Sequence, residues 1–189
     1  MVPLTTKSQM SLAEFLQLPE TKPASEYIDG EIYQKSMPQA KHSRLQKYSL
    51  EVISQAGEPQ ELVCAFPELR CTFGGRSIVP DIAVFEWSRI PVDADGEITN
   101  KIEIHPDWVI EILSPDQSPN LVIKKIIFCL QHGTKLGWFI DPNDKSVMIL
   151  ARDCTPIVLS DDEILPVLPC LADWQFSATQ LFSCLKFKK

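Results

Sequence analysis

The chain reads as an α/β protein built on a mixed β-sheet with a parallel centre, flanked by helices and extra antiparallel hairpins. Three observations predict this. Trp108-Val-Ile-Glu-Ile-Leu113 and Leu136-Gly-Trp-Phe-Ile140 are apolar runs of strand length, and an amphipathic run, Leu121 to His132, lies between them on short links. Strand, helix and strand joined so closely form the crossover that sets neighbouring strands parallel. Turn-bounded runs on either side, Glu26 to Tyr33 and Ser146 to Leu159, read as antiparallel strands. Finally, 189 residues with 44% hydrophobic and 23% charged content suit one globular domain with a sizeable core and are short for two. The expected domain spans 1–189, with its core at about 11–182.

Each element has a local reason. Residues 1–7 read as a loose leader. Ser11 to Leu18 is a short helix, with Ser11 and Glu14 spaced as a capping box and Pro19 to Pro23 breaking it. Asp29-Gly30 is a favoured two-residue turn between Tyr27-Ile28 and Ile32-Tyr33. Lys41 to Gln55 carries Leu45, Tyr48, Val52 and Ile53 at helical spacing and stops before Gly57. Glu61 to Phe73 reads as two short strands or one broken at Pro67, and Gly74-Gly75 turns into a strand over Ser77 to Trp87. Ser88 to Lys101 is a polar loop. Its Asp93, Asp95 and Glu97 alternate loosely like a calcium loop but lack the remaining ligands, so it reads as solvated surface. Ser118 and Pro119 suit the cap and first position of the central helix, which Gly133 closes. Ser146–Ala151 and Pro156–Leu159 alternate as strands, and Ala178 to Leu185 forms a last amphipathic helix.

Composition excludes several classes. No stretch approaches the roughly 18–20 apolar residues that cross a bilayer, and Met1 to Ser11 lacks the basic and apolar regions of a secretory signal. A cytoplasmic protein without a membrane role is expected. The six cysteines form no CxxC pair and the three histidines are scattered, which argues against a zinc site. The cysteines are expected to be small buried hydrophobes. A net charge of −7 does not suit a broad basic surface for coating nucleic acid, though acids gathered at a metal site contribute to the same total.

The chemistry lies in the strand acids. Asp81 follows Pro80 at the head of one strand, and Glu111 interrupts the apolar run of the next. A carboxylate in a buried strand is costly unless paired, hydrogen-bonded or bound to a metal. Two such acids followed by a lysine-bearing helix are the parts of a magnesium-dependent phosphodiester-cleaving site. Mg²⁺ takes oxygen ligands, usually one or two carboxylates with waters and substrate phosphate. Asp81 and Glu111 would supply those, with the backbone carbonyl of Ile112 as a third oxygen, and Mn²⁺ could substitute. A nearby lysine would orient water or offset developing charge. The alternatives are structural: Asp81 as a surface acid, Glu111 as partner of Arg70 or Arg76, Lys125 as an exposed helix lysine. His42 could be a partly exposed residue at a helix start, and Trp138 a core residue.

This constellation resembles the PD-(D/E)XK nuclease superfamily, whose fold is restriction-endonuclease-like. Pro80-Asp81 matches the first half of its motif and Glu111-Ile112-Leu113 the second, with Leu113 where the motif has lysine. Within that superfamily the chain is similar to the Uma-type restriction-endonuclease family. The stretches SEYIDGEIY, VPDIAVF, DWVIEILSPDQS and HGTKLGWFIDP carry the likeness, together with His42 and a lysine on the helix after Glu111. They cover most of the chain, about 11–182. The resemblance implies that a helix lysine takes over from the missing one. The matching residue is Lys125, with Lys124 as competitor about 100° away around the helix. Glu26 matches the family's acid before the Asp-Gly turn and is expected to bind a second metal or position the lysine. His42 and Lys124 are the accessory candidates. Cys129 and Gly137 stand where the family often has aromatics.

The implied function is an Mg²⁺-dependent endonuclease acting on DNA, with a homodimer as the expected assembly. A nuclease fold kept as a DNA-binding or protein-interaction module is the alternative, favoured by Leu113 and the acidic charge. A phosphohydrolase acting on small nucleotides is a third reading.

Overall fold

The crossover predicted from the two apolar runs is the centre of the molecule. A computed structural model describes residues 10–115 and 117–187, and the leader expected over 1–7 lies outside them. In chain order the elements are α1 (Leu12–Phe15), β1 (Ser25–Ile28), β2 (Glu31–Gln34), α2 (Ala40–Gly57), β3 (Val63–Pro67), β4 (Cys71–Phe73) and β5 (Arg76–Ile78). There follow β6 (Ile82–Glu86), β7 (Trp108–Ile112), α3 (Pro119–Gln131), β8 (Leu136–Asp141), β9 (Ser146–Ala151), β10 (Ile157–Ser160) and α4 (Ala178–Ser183).

Six strands form a sheet in the order β10-β9-β8-β7-β6-β3, and four form a smaller one, β2-β1-β5-β4. β7 and β8 are parallel, with Glu111 opposite Phe139. Their outer neighbours, β6 and β9, run antiparallel to them. This is the mixed sheet with a parallel centre that the sequence predicts.

Side-chain alternation gives the sheet two buried faces. Along β7, Trp108, Ile110 and Ile112 join one apolar cluster, with Leu45 and Ile53 of α2. Val109 joins the other, with Val122, Ile126 and Cys129 of α3. A strand covered on both sides reads as a continuous apolar run, which is why β7 has no polar alternation. Trp138 packs edge-on against Trp108, their centroids 4.6 Å apart, wholly inside the first cluster. It is a core residue.

One predicted strand is two. β5 belongs to the small sheet and β6 to the large one, and Val79-Pro80-Asp81 crosses between them. Pro80 has no N–H for a ladder, so pairing stops there. Asp81 is therefore left at the joint between sheets rather than within a strand.

Local signals hold at the turns and caps. Asp29 and Gly30 have φ of 52° and 90°, the pair of positive values that a two-residue hairpin turn of this hand requires. Ser11 with Glu14, and Ser177 with Gln180, form complete capping boxes. The central helix begins at Pro119 after Ser118, whose side chain makes no capping hydrogen bond. Asp93 accepts from the backbone N–H groups of Asp95 and Glu97 at 2.9 and 3.0 Å, closing an exposed turn. All six cysteines are free: Cys71, Cys129 and Cys184 are buried as expected, but Cys154 is exposed. Among the described residues no helix is long and apolar enough to cross a membrane.

Candidate functional site

Glu111 lies on the α3 side of β7, between Ile110 and Ile112 on the opposite face, and is 1% exposed. The buried stripe of α3 passes through Val122, Lys125, Ile126 and Cys129, an i, i+3, i+4, i+7 pattern. That periodicity turns Lys125 inward and leaves Lys124 exposed. Lys125 Nζ sits 3.0 Å from Glu111 Oε1 and 2.9 Å from Glu26 Oε1. Glu26, buried on β1, also accepts the backbone N–H of Val79 at 2.8 Å. One ammonium thus ties the small sheet, the large sheet and α3 together.

Asp81, at the joint, is fully engaged. Its Oδ1 accepts from Lys35 Nζ at 2.6 Å; its Oδ2 accepts the backbone N–H of Ile112 at 2.8 Å and lies 3.0 Å from His42 Nε2. His42 is buried in the first turn of α2, not partly exposed there, because its side chain reaches this carboxylate. One turn on, Gln46 Nε2 donates to the Asp81 backbone carbonyl at 2.8 Å. Asp81 is a buried acid, and the surface alternative does not hold. Arg70 bonds Glu20 and Arg76 bonds Asp29, so neither is the partner of Glu111.

The structure therefore brings Glu26, His42, Asp81, Glu111 and Lys125 together and leaves Lys124 outside. Ile112 enters through its N–H; the part foreseen for its carbonyl is a ligand role. Lys35 and Gln46 were not foreseen. A signal for Lys35 existed: the Asp29-Gly30 turn pairs Glu26 with Tyr33, and residues two apart share a face, so Lys35 follows Tyr33 onto the side of Glu26. Leu113, where the motif has lysine, is half-buried beside His42 and contributes no charge; it lines a cavity of about 200 Å³.

Three acids (Glu26, Asp81, Glu111) share two ammonium groups (Lys35, Lys125) in the cluster. Burial opposes ionisation of Asp81, but the His42 hydrogen bond and the Lys35 charge outweigh it and hold the carboxyl well below its usual range. Glu111 is pushed up to about 8 by burial, against the pull of Lys125 and with a further push from Asp81. Burial favours neutral Lys125, yet Glu111, Glu26 and Asp81 together keep its ammonium charged. Glu111 is thus the acid that keeps its proton at neutral pH, and its buried Oε1 has the Lys125 charge nearby but no well-directed hydrogen bond.

An orphaned carboxylate oxygen, on an acid whose proton a bound cation would displace, fits a hard divalent cation. Among the described residues no group of three or more His, Cys, Asp or Glu side chains is gathered as a metal site. An ion here would therefore depend on two carboxylates, with water and substrate oxygens completing its shell.

The geometry stands beside clear relatives. The family model Uma2, described as "Putative restriction endonuclease", matches residues 12–179. A crystal structure at 1.96 Å, of a "putative nuclease belonging to DUF820" from Anabaena variabilis ATCC 29413, superposes with a TM-score of 0.92 at 50% identity, covering 94% of this chain and 99% of that one. No curated protein matches the chain. The motif order and spacing that suggested a Uma-type protein thus agree with a match over most of the length, and the chain belongs to the Uma2 family.

Proposed function

We propose that this chain is an Mg²⁺-dependent endonuclease that hydrolyses phosphodiester bonds of DNA, with Mn²⁺ able to substitute. The reading is carried by one observation: Glu26, Asp81, Glu111 and Lys125, from four separate stretches, meet in one buried cluster. The family description and the nuclease description of the similar crystal structure support it. Asp81 and Glu111 would hold the ion, with the Ile112 carbonyl as a further oxygen. A bound divalent ion lowers the pKa of its water and offsets charge on the scissile phosphate.

The chain's own residues do the positioning. His42 and the Ile112 N–H orient Asp81, while Lys125 holds Glu111 against Glu26 and keeps both oriented. Lys35, 2.6 Å from Asp81, would offer its ammonium to a substrate phosphate beside that carboxylate. Cutting both strands is simplest with two copies, so a cytoplasmic homodimer belongs to this reading.

Calorimetric titration of Mg²⁺ and Mn²⁺, with and without DNA, tests the assignment. Saturable binding is expected for the native chain and its loss for Asp81→Asn and Glu111→Gln, together with loss of duplex cleavage in variants that remain folded. Full activity in either variant would overturn it.

A second reading has an observation of its own. Both Asp81 oxygens are engaged, Glu111 faces a lysine, and Leu113 removes the motif lysine. These favour a nuclease fold retained for DNA or protein binding, and absence of metal binding even with DNA would select it.

A further inference from the structure

Beside the acid–lysine cluster a groove of about 580 Å³ opens between the β1–β2 hairpin and α3. Glu26, Lys35 and Lys125 line its inner end, Tyr33 its hairpin wall and Lys124 its helix wall. The lining reverses the sign of the whole molecule. The chain carries −7, yet the groove has four cations (Lys35, Arg76, Lys124, Lys125) against two carboxylates, Glu26 and Asp29.

Three of those cations are already committed. Arg76 is bonded to Asp29 and lies over the Phe128 ring, 4.2 Å from its centre. Lys35 and Lys125 face the buried acids. Lys124, one position from Lys125, makes no ion pair among the described residues and faces solvent. Across from it Tyr33 is 41% exposed, its hydroxyl donating to Glu31 and its ring left open.

An open aromatic face and a free ammonium on opposite walls, leading to buried carboxylates, are the elements of a strand-binding path. Bases stack on aromatic rings without regard to sequence, and phosphates meet cations along the backbone. The volume falls in the roughly 300–1,000 Å³ range of small-molecule sites. A space of this size takes a short piece of one strand with a base against the open ring.

We propose that this groove seats a short run of one nucleic-acid strand, with a base stacked on Tyr33 and a phosphate on Lys124, leading the scissile phosphate to Asp81 and Glu111. The inference rests on the nuclease reading and adds its strand path.

Fluorescence anisotropy with a short fluorescein-labelled single-stranded deoxyoligonucleotide, in EDTA over a range of salt, tests it. The native chain binds. Lys124→Ala binds more weakly, and its slope of log affinity against log salt is flatter by about 0.7, the share of one phosphate contact on a single strand. Tyr33→Ala loses about tenfold in affinity with the slope unchanged. Lys47→Ala, at an exposed site on α2 outside the groove, changes neither. Equal behaviour of the Lys124 and Lys47 variants overturns the path. Binding of duplex but not of single strand overturns it too, while leaving the nuclease reading in place. A native chain that neither binds nor cleaves either form removes the nuclease reading, and the path falls with it.

Discussion

Lys125 is 7% exposed and has two carboxylates within 3.0 Å. Exchanging it for methionine keeps most of its length and apolar contacts but removes the charge between Glu26 and Glu111. Stranding one side of a buried ion pair typically costs about 3–5 kcal/mol. Lys125→Met is therefore expected to lower the urea midpoint clearly, whereas Lys124→Met, on the exposed side, is expected to change stability by no more than about 0.5 kcal/mol. Equal midpoints for the two variants would show that Lys125 is not the member of the pair that holds the cluster. The sequence alone carried the acids because each breaks an apolar pattern. It could not choose between adjacent lysines until the phase of α3 was known. Lys35 escaped because Gln34-Lys35-Ser36 breaks no pattern; only the hairpin register marks it, and that register must be followed past the end of β2.

The position of Lys125 depends on how closely α3 lies on the sheet, and Gly137 sets that distance. A Cβ on Gly137 would sit 2.2 Å from Ile126 Cγ2, far inside contact, and this methyl is attached directly to the Ile126 Cβ and has little room to turn away. Ile126 thus occupies the space that a side chain on β8 would fill, and Lys125 precedes it on the helix. Gly137→Ala is expected to push α3 outward and cost about 1–3 kcal/mol by overpacking. On the proposed reading it should also weaken Mg²⁺ binding, because Lys125 moves with the helix. An unchanged thermal midpoint and unchanged calorimetric titration would show that α3 does not rest on this contact. At this scale the sequence is legible where chemistry is local: the Asp29-Gly30 turn, the Ser11–Glu14 capping box and the run of β7 all read directly. The split at Pro80 was harder, because Ser77 to Trp87 has one continuous strand-like composition. Its two halves differ only in which partners they find across the chain.

Those partners decide whether the two sheets behave as one body. Cys71 of β4 and Ile78 of β5 belong to the small sheet, yet they pack in the same apolar cluster as Val109 of β7 and Cys129 of α3. The crossover was legible at long range because short links force it; the small sheet was not, because it is assembled from hairpins distant in sequence. A shared core, clamped by Lys125 and by the Asp81 joint, should make unfolding cooperative across both sheets. The free cysteines report on this. Burial pushes the Cys71 thiol up to about 12 and raises that of Cys129 as well, so neither offers a thiolate to an alkylating reagent while the protein is folded. Cys154 is exposed. Pulsed iodoacetamide labelling along a urea series, read peptide by peptide by mass spectrometry, should modify Cys154 without denaturant, then Cys71 and Cys129 together at the global midpoint. Labelling of Cys71 well below the urea concentration that exposes Cys129 would mean that the small sheet opens first. Glu26 and Lys35 would then leave the candidate site before the rest of the fold is lost.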